Sequence, residues 1–482
     1  MSGALPVEMA PVQTPNAAAA RAVRMTALPV NAQTFNSGDL IRINVPRRPG
    51  SFLIPSQSFL RFDVVIANGL STSSTTGLDA SGSIATTGSA GLIFDGHCSS
   101  VINTMTTYHG STVLEQTLGY NRLYAAYLDA QLPREQRNGE GAYSIAGGAN
   151  DTRGASGATF DASGATVGTY PGPSAWANAN QIMTSQSTQL ASTYTYTMPL
   201  ISSVFGAGQN GGRYFPLDRL NDGLTLELQL ESFQNATKLM VQASSTAQWT
   251  ADQSTNVAAT AACMSIRNVS LVCQLVELDS EAMSAYNRMH PGEIVLPVTQ
   301  YRGYQSTLAY PLSANSALVP ARFQSVNALI WGMFDQANLN DFSKGSITWR
   351  SRANLSTVQY RIGSLSYPSK PIDCWGTAAE VYMEFEKAFR SAGAINGSVS
   401  FTKDEFVLDT GAGAFLGAQE LSVFPHAQGT TFAGVSTIGQ NIFLDQIFGS
   451  AGMSNSTYAL WVWAQYDAKI IIDETGSARV VY

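Results

Sequence analysis

The sequence predicts an all-β protein in which one β architecture is built twice, with a few short helices and long loops inserted. Apolar and polar residues alternate along many short segments of the chain. Charged residues make up only 13% of the sequence, about half the share that is usual in soluble domains. Two distant segments also share one pattern. Together these observations favour strands over charged helical faces, and a surface largely covered in an assembly.

Period-two alternation marks the predicted strands, because successive side chains of a strand point to opposite faces of its sheet. The pattern runs through residues 41–45, 60–66, 224–230 and 269–275. Near the end, two apolar segments flank Glu474-Thr475-Gly476, with glycine where a hairpin turn needs a positive φ. These segments predict antiparallel sheets with one buried face.

The two similar segments are residues 40–67 and 318–334. In each, an apolar residue followed by proline (Ile54-Pro55 and Val319-Pro320) leads into a strand-like run that contains Arg-Phe. Proline lacks a ladder donor and is tolerated where a strand begins. The shared pattern predicts that the same kind of β unit occurs once in each half.

Three segments have the spacing of amphipathic helices: residues 113–129, 279–290 and 377–390. The second can be capped by Asp279 or Ser280 and is stopped by Pro291-Gly292. Each is predicted to be a packing helix between strands.

Residues 1–34 are predicted to be an extended arm, free or held by a neighbouring subunit. Arg21 and Arg24 interrupt its apolar part, so it does not read as a secretion signal. Its prolines disfavour a long helix but allow a short one around residues 17–25. Residues 69–90 and 131–190 are rich in Gly, Ala, Ser and Thr, and are predicted to be surface loops.

Composition excludes several functions. The net charge of −7 argues against a dedicated nucleic-acid binder, which needs a basic face. No segment reaches the 18 consecutive apolar residues of a membrane span. Neither cysteine nor histidine spacing matches a disulfide framework or a zinc site, so we expect four reduced thiols and no metal or cofactor. These residues are Cys98, Cys263, Cys273 and Cys374, and His97, His109, His290 and His426.

Two segments partly match the sequence motifs of enzyme sites. Residues 406–411 end in Asp409-Thr410-Gly411, the pattern of aspartic proteases, but no second Asp-Thr/Ser-Gly occurs. We interpret Asp409 as a turn residue. Gly411, Gly413 and Gly417 miss the dinucleotide-binding spacing by one residue. No catalytic or cofactor-binding residue is predicted, and the protein is not expected to be an enzyme.

Six Asn-x-Ser/Thr sequons are expected to be unmodified, because no secretion signal accompanies them. They begin at Asn150, Asn235, Asn268, Asn354, Asn396 and Asn455.

Several motifs, taken in order, resemble the double jelly-roll major capsid proteins, the group of adenovirus hexon and of virophage and polinton-like capsid proteins. Residues 55–62 read Pro-x-x-x-Phe-Leu-Arg-Phe, residues 94–96 read Phe-Asp-Gly, and Leu-Gly-Tyr-Asn follows at 118–121. The strand around 322–330 and the closing Tyr-Asp-Ala at 466–468 are similar too. The likeness rests on order and spacing over most of residues 35–482.

After the arm at 1–34, the resemblance implies a first jelly roll with long loops at 35–293 and a second at 294–482. The break near 293–300, just after the second predicted helix, is the candidate boundary between them. The resemblance also implies a structural capsid protein that forms homotrimeric, pseudo-hexagonal capsomers of an icosahedral virion. The partners would be other copies, with minor capsid or vertex proteins, and synthesis would occur in the host cytosol or nucleus, without secretion. The alternative is an all-β adhesin, spike or vertex protein that binds a host glycan or receptor, with Trp461 and Trp463 as a sugar platform.

Overall fold

The computed structural model describes most of the 482 residues. The described residues are 20–66, 76–78, 84–85, 89–133, 146–147, 159–160, 166–168, 183–184, 193–206, 213–242, 249–251, 264–342, 344–389, 399–423, 432–454 and 456–482. The predicted loops at 69–90 and 131–190 lie largely outside them.

Strands dominate this part of the chain. Those of the first half are β1 Ala20–Ala27, β2 Thr34–Phe35, β3 Leu40–Val45, β4 Ser51–Ile66, β5 Thr76–Leu78, β6 Ile84–Ala85, β7 Ser89–Phe94, β8 Ile102–His109, β9 Thr112–Leu118, β10 Thr159–Phe160, β11 Thr166–Gly168, β12 Met183–Thr184, β13 Thr193–Met198, β14 Phe215–Pro216, β15 Leu224–Leu230, β16 Thr237–Gln242, β17 Trp249–Ala251 and β18 Met264–Leu278. Those of the second half are β19 Ile294–Leu308, β20 Ala314–Val319, β21 Val326–Asp335, β22 Leu355–Ile362, β23 Leu365–Asp373, β24 Gly417–Glu420, β25 Ile442–Phe448, β26 Tyr458–Ile472 and β27 Ala478–Val481.

Helices occupy the connections. The α-helices of the described residues are α1 Tyr120–Gln131, α2 Phe233–Ala236, α3 Ser280–Met289, α4 Ala379–Phe389 and α5 Lys403–Phe406.

One strand order occurs in both halves. In the first half, one sheet runs β1-β18-β4-β13 and a second runs β3-β15-β8-β9. In the second half, the sheets run β19-β26-β21-β24 and β20-β25-β22-β23. If eight strands are numbered along each half, both halves have the orders 1-8-3-6 and 2-7-4-5. Two antiparallel sheets connected in this way form a jelly roll, so the protein is all-β with two tandem jelly rolls.

Alternating side chains build the core of each roll. The buried positions of β15 are Leu224, Leu226, Leu228 and Leu230, with half-buried polar residues between them. In β26, residues 458–464 are all buried, because this central strand is covered on both faces. The predicted hairpin is confirmed: β26 pairs with β27, and Gly476 has φ +82°.

Two predicted helices are confirmed and one is partly wrong. Asp279 caps α3 by accepting from the amides of Glu281 and Ala282, and α4 lies within residues 377–390. The predicted helix at 113–129 is a strand, β9, up to Leu118, and helix α1 starts only after Gly119, which has φ +61°. The left-handed conformation of Gly119 ends the strand and turns the chain, and only the residues after it are helical.

The N-terminal segment differs from the predicted arm. Residues 20–27 are not helical; they form β1, which pairs along its full length with β18 of the same chain. By topology, β1 is the first strand of the first roll, and Phe35 in β2 is buried in that roll. Residues 1–19 of the proposed arm lie outside the described residues.

The repeated pattern does mark equivalent strands of the two rolls. The predicted equivalence of Pro55 and Pro320 is wrong. Residues 40–67 span strands two and three of the first roll, and 318–334 span the end of strand two and strand three of the second. Pro55 lies inside β4 rather than at its entrance. The true equivalents are Val45-Pro46 and Val319-Pro320, where proline follows the last residue of strand two in each roll.

Truncation tests the assignment of β1. Deletion of residues 1–34 removes a strand that buries Ala27 and half-buries Val23 and Met25, so we expect a loss of about 3 kcal/mol or more. Deletion of residues 1–19 leaves β1 in place and is the control. Thermal melts of both proteins measure the difference, and equal midpoints would show that β1 contributes nothing to the roll.

Candidate functional site

The two rolls meet along two edge strands, β9 of the first roll and β19 of the second. A Cβ on Gly303 would lie 2.2 Å from the carbonyl oxygen of Leu118, so only glycine allows this approach. Trp463 Nε1 donates to the same carbonyl at 3.0 Å, and Thr117 Oγ1 donates to the Tyr301 carbonyl at 3.2 Å. Each edge strand is therefore covered by the other roll. We call this contact, with the groups around it, the roll junction.

A buried carboxylate organises the middle of the roll junction. Glu115 of β9 accepts from the Ser203 amide at 2.9 Å and from the hydroxyls of Ser202 and Ser203 at 2.7 and 3.1 Å. Gln300 of β19 donates to Ser203 Oγ at 3.1 Å and to the Leu114 carbonyl at 2.8 Å. One hydrogen-bonded cluster thus includes both rolls.

Glu115 has an unusual proton affinity. Burial raises its pKa from 4.5 to about 7, although the hydrogen bonds from Ser202 and Ser203 oppose that shift. The nearby hydroxyl groups of Tyr120 and Tyr466 also have raised pKa values because they are buried. The neutral acid is therefore favoured in the folded protein below neutral pH.

The helices after the fifth strand of each roll also meet at the junction. Tyr127 of α1 packs edge-on against Phe389 of α4, with ring centroids 5.0 Å apart. Asp129, at the end of α1, forms a fully buried ion pair with Arg350 of the second roll. Ser400 Oγ donates to the other carboxylate oxygen of Asp129 at 2.6 Å.

Further contacts extend the roll junction. Asp95 of the first roll accepts from the Ile347 amide at 2.8 Å and from the Thr348 hydroxyl at 2.5 Å. The buried ring of His109 accepts from the Ala478 amide at 3.2 Å. The junction thus joins β8 and the 94–96 segment of the first roll to the second roll at several separate points.

Asp409 does not sit in a protease-like site. Arg352 binds both of its carboxylate oxygens, at 2.8 and 2.9 Å, and the Asn354 amide donates to one of them at 2.8 Å. An aspartic protease needs a carboxylate that shares a proton with a second acid. Asp409 is instead the anion of a bidentate ion pair that holds the 350–354 segment.

The described cysteines are free, buried thiols: Cys98, Cys273 and Cys374. Burial raises the pKa of each, for Cys273 to about 12, which disfavours the reactive thiolate. Cys263 lies outside the described residues.

The described histidines serve the fold. His97 caps a short 3₁₀-helix by accepting from the Ser99 amide, and the carbonyl of His290 accepts from Arg219. His426 lies outside the described residues. Among the residues that the structure describes, no three His, Cys, Asp or Glu side chains group as metal ligands.

The glycine motif and the described sequons have structural roles. Gly413 accepts from the Arg350 amide, and a Cβ on Gly417 would lie 2.1 Å from the Trp331 ring. The side-chain nitrogens of Asn235, Asn268 and Asn354 donate to Glu231, Asp63 and the Gly452 carbonyl. Asn150, Asn396 and Asn455 lie outside the described residues.

The tryptophan pair is not an exposed sugar platform. Trp461 and Trp463 stack with ring centroids 5.9 Å apart, and they are only 8% and 0% exposed. Trp461 fills the space beside Gly119 and Trp463 donates to the Leu118 carbonyl, so both rings belong to the roll junction. Within the described chain, no helix has the length and apolarity needed to cross a membrane.

Comparison with known proteins agrees with this architecture. No family model and no curated protein matches the sequence. The structure resembles the PBCV-1 virus capsid protein with a TM-score of 0.56 at 10% identity, covering 98% of this chain and 99% of that one. The Faustovirus major capsid protein matches at 0.54 and 10% identity (97% and 92% covered), and a Sputnik virophage chain at 0.54 and 14% (100% and 92%). The chain has the double jelly-roll fold.

The residues of the roll junction were not predicted from the sequence, which yielded no site residues. One signal was present: Gly303 interrupts an otherwise strand-like segment, which is typical of close backbone approach. Glu115 lies on β9, within the segment 113–129 whose spacing predicts a helix, so the pattern does not indicate its buried position.

Replacement of Glu115 by Gln tests its titration. Because folding raises its pKa from 4.5 to about 7, wild-type stability is fully present below pH 4.5 and decreases as pH rises through 7. As pH rises from 4.5 to 8, the free energy of unfolding of Glu115→Gln should therefore increase by about 3 kcal/mol relative to that of wild type. Urea unfolding across this range measures the effect. Glu281→Gln, an exposed carboxylate on α3, is the control, and parallel pH profiles for wild type and Glu115→Gln would contradict the assignment.

Proposed function

We propose that this chain is a structural major capsid protein, whose three copies form a pseudo-hexagonal capsomer of an icosahedral shell. The observation that carries the proposal is that two rolls of identical strand order are joined in one chain. The match to capsid proteins of PBCV-1, Faustovirus and Sputnik over nearly the whole chain supports it. Three such blocks present six similar walls, the outline that a hexagonal lattice needs.

Exposed apolar side chains support assembly. The outer face of β20 and β25 carries Leu318 and Ile447, which are 52% and 53% exposed. Three further apolar side chains of this roll are also more than half exposed: Leu365 on β23, Trp375 before α4, and Met383 on α4. Of the described large apolar side chains that are more than half exposed, most lie on the second roll. Such side chains on a weakly charged protein support a surface that neighbouring copies cover.

The remaining parts of the proposal follow from a capsid role. The protein would act in the virion without catalysis or sequence-specific binding of nucleic acid, and would contact minor capsid or vertex proteins. It would be made in the cytosol or nucleus of the host. The rolls would divide near residue 293, between β18 and β19.

Mass measurement in solution tests the trimer. We expect the full-length protein to remain a homotrimer at low concentration, because a permanent interface buries more than roughly 2,000 Å². The double variant Leu318→Asp/Ile447→Asp should dissociate, since it places charges in an apolar contact, whereas Met289→Asp on α3 should not. A folded wild-type monomer would contradict the capsomer, and a trimeric double variant would exclude this face as the contact.

A further inference from the structure

A cleft of about 250 Å³ opens between the two rolls, beside the roll junction. Arg122 and Glu231 line it from the first roll, and Phe334, Asp335 and Trp461 from the second. Its volume is below the roughly 300–1,000 Å³ of pockets for drug-sized ligands. A ligand of this cleft is therefore limited to a single small ring.

Arg122 is a buried cation with unused donors. Its Nη1 donates to Asn121 Oδ1 and Glu231 Oε2, both at 3.4 Å, and its buried Nε has no hydrogen-bond partner. The guanidinium lies over the rings of Phe334 and Trp461, 5.5 and 5.4 Å from their centroids. A guanidinium has five N–H donors, and leaving them unpaired when buried is costly. This side chain is suited to donate hydrogen bonds to oxygen atoms of a molecule in the cleft.

Side-chain amides surround the opening. Asn103 at the start of β8, Gln305 on β19 and Gln336 after β21 line the cleft. Within the described residues, none of these three side chains makes a hydrogen bond, so each offers two N–H donors and a carbonyl acceptor. Such paired donors and acceptors match hydroxyl groups, which both donate and accept.

The charges of the cleft select against ions. Arg122 contributes one positive charge, whereas Glu231 and Asp335 contribute two negative charges, so an anion would be repelled. Both carboxylates already accept hydrogen bonds, which makes them poorer ligands for a cation. Glu231 accepts from Asn121, Arg122 and Asn235. Asp335 Oδ1 accepts from the Ala337 amide and the Ser456 hydroxyl. A neutral molecule with several hydroxyls satisfies the donors and acceptors without a charge penalty.

We propose that this cleft binds one neutral sugar ring, with Arg122 and the three amides as hydrogen-bonding groups and Phe334 and Trp461 as its apolar side. The proposal goes beyond the capsid role, and every lining residue comes from one chain.

Saturation-transfer NMR on the full-length protein tests the proposal with glucose, galactose and mannose as probes. Sialic acid and inorganic phosphate are the anionic comparisons. Gln305→Ala and Asn103→Ala remove amides at the rim without touching the core. Gln274→Ala on β18, another side chain without a hydrogen bond among the described residues, is the matched control.

We expect at least one neutral hexose to bind at millimolar concentration. Each rim variant should weaken it about tenfold, whereas Gln274→Ala should not, and neither anion should bind. Absence of hexose binding would overturn the proposal, and so would binding that the rim variants leave unchanged. Phosphate or sialic acid bound in preference would show an anion site instead.

Discussion

The close approach of two edge strands, β9 and β19, is the constraint on which the rest of the structure depends. At Gly303 the backbones come so near that a Cβ would meet the Leu118 carbonyl oxygen at 2.2 Å. Edge strands are exposed templates for pairing with other chains. Packing one edge of each roll against the other covers part of both strands and fixes the rolls side by side.

Buried polar groups then determine how the rolls are placed. The Asp129–Arg350 ion pair and the Asp95 contacts to residues 347 and 348 are buried, and each would leave an unpaired group if the rolls separated. Buried ion pairs contribute little net stability but penalise misplacement strongly. The roll junction therefore fixes the position of one β-sandwich relative to the other, so that the two form one block. A block of fixed shape is consistent with the proposed capsid function.

The sequence predicted those strands and helices whose pattern of apolar and polar residues, or whose capping residue, matches their burial in the fold. Strand β15 alternates cleanly because one face is buried, and α3 has a capping Asp279. Strand β1 was missed because its side chains are mostly exposed and only Ala27 is fully buried, so no apolar alternation marks it. Its position depends on pairing with β18, which lies far away in the chain.

None of the residues of the roll junction was predicted from the sequence, because they too depend on contacts between distant parts of the chain. Glu115 and Gln300 become neighbours only when two rolls pack, and no spacing in the chain encodes that contact. Likewise Asp409 matches a catalytic motif in the sequence, but its role is set by Arg352. The exposed tryptophan platform was an interpretation of composition, whereas burial of Trp461 comes from the opposite roll at Gly119.

Scanning calorimetry tests the central claim that the roll junction makes one cooperative block. The wild-type chain should unfold in a single transition, with a calorimetric enthalpy per chain equal to the van't Hoff enthalpy. Gly303→Ala should split or broaden that transition, because its Cβ meets the backbone at Leu118, which cannot move aside. Two separate transitions in the wild-type protein, unchanged by Gly303→Ala, would show that the rolls are independent and would contradict the account.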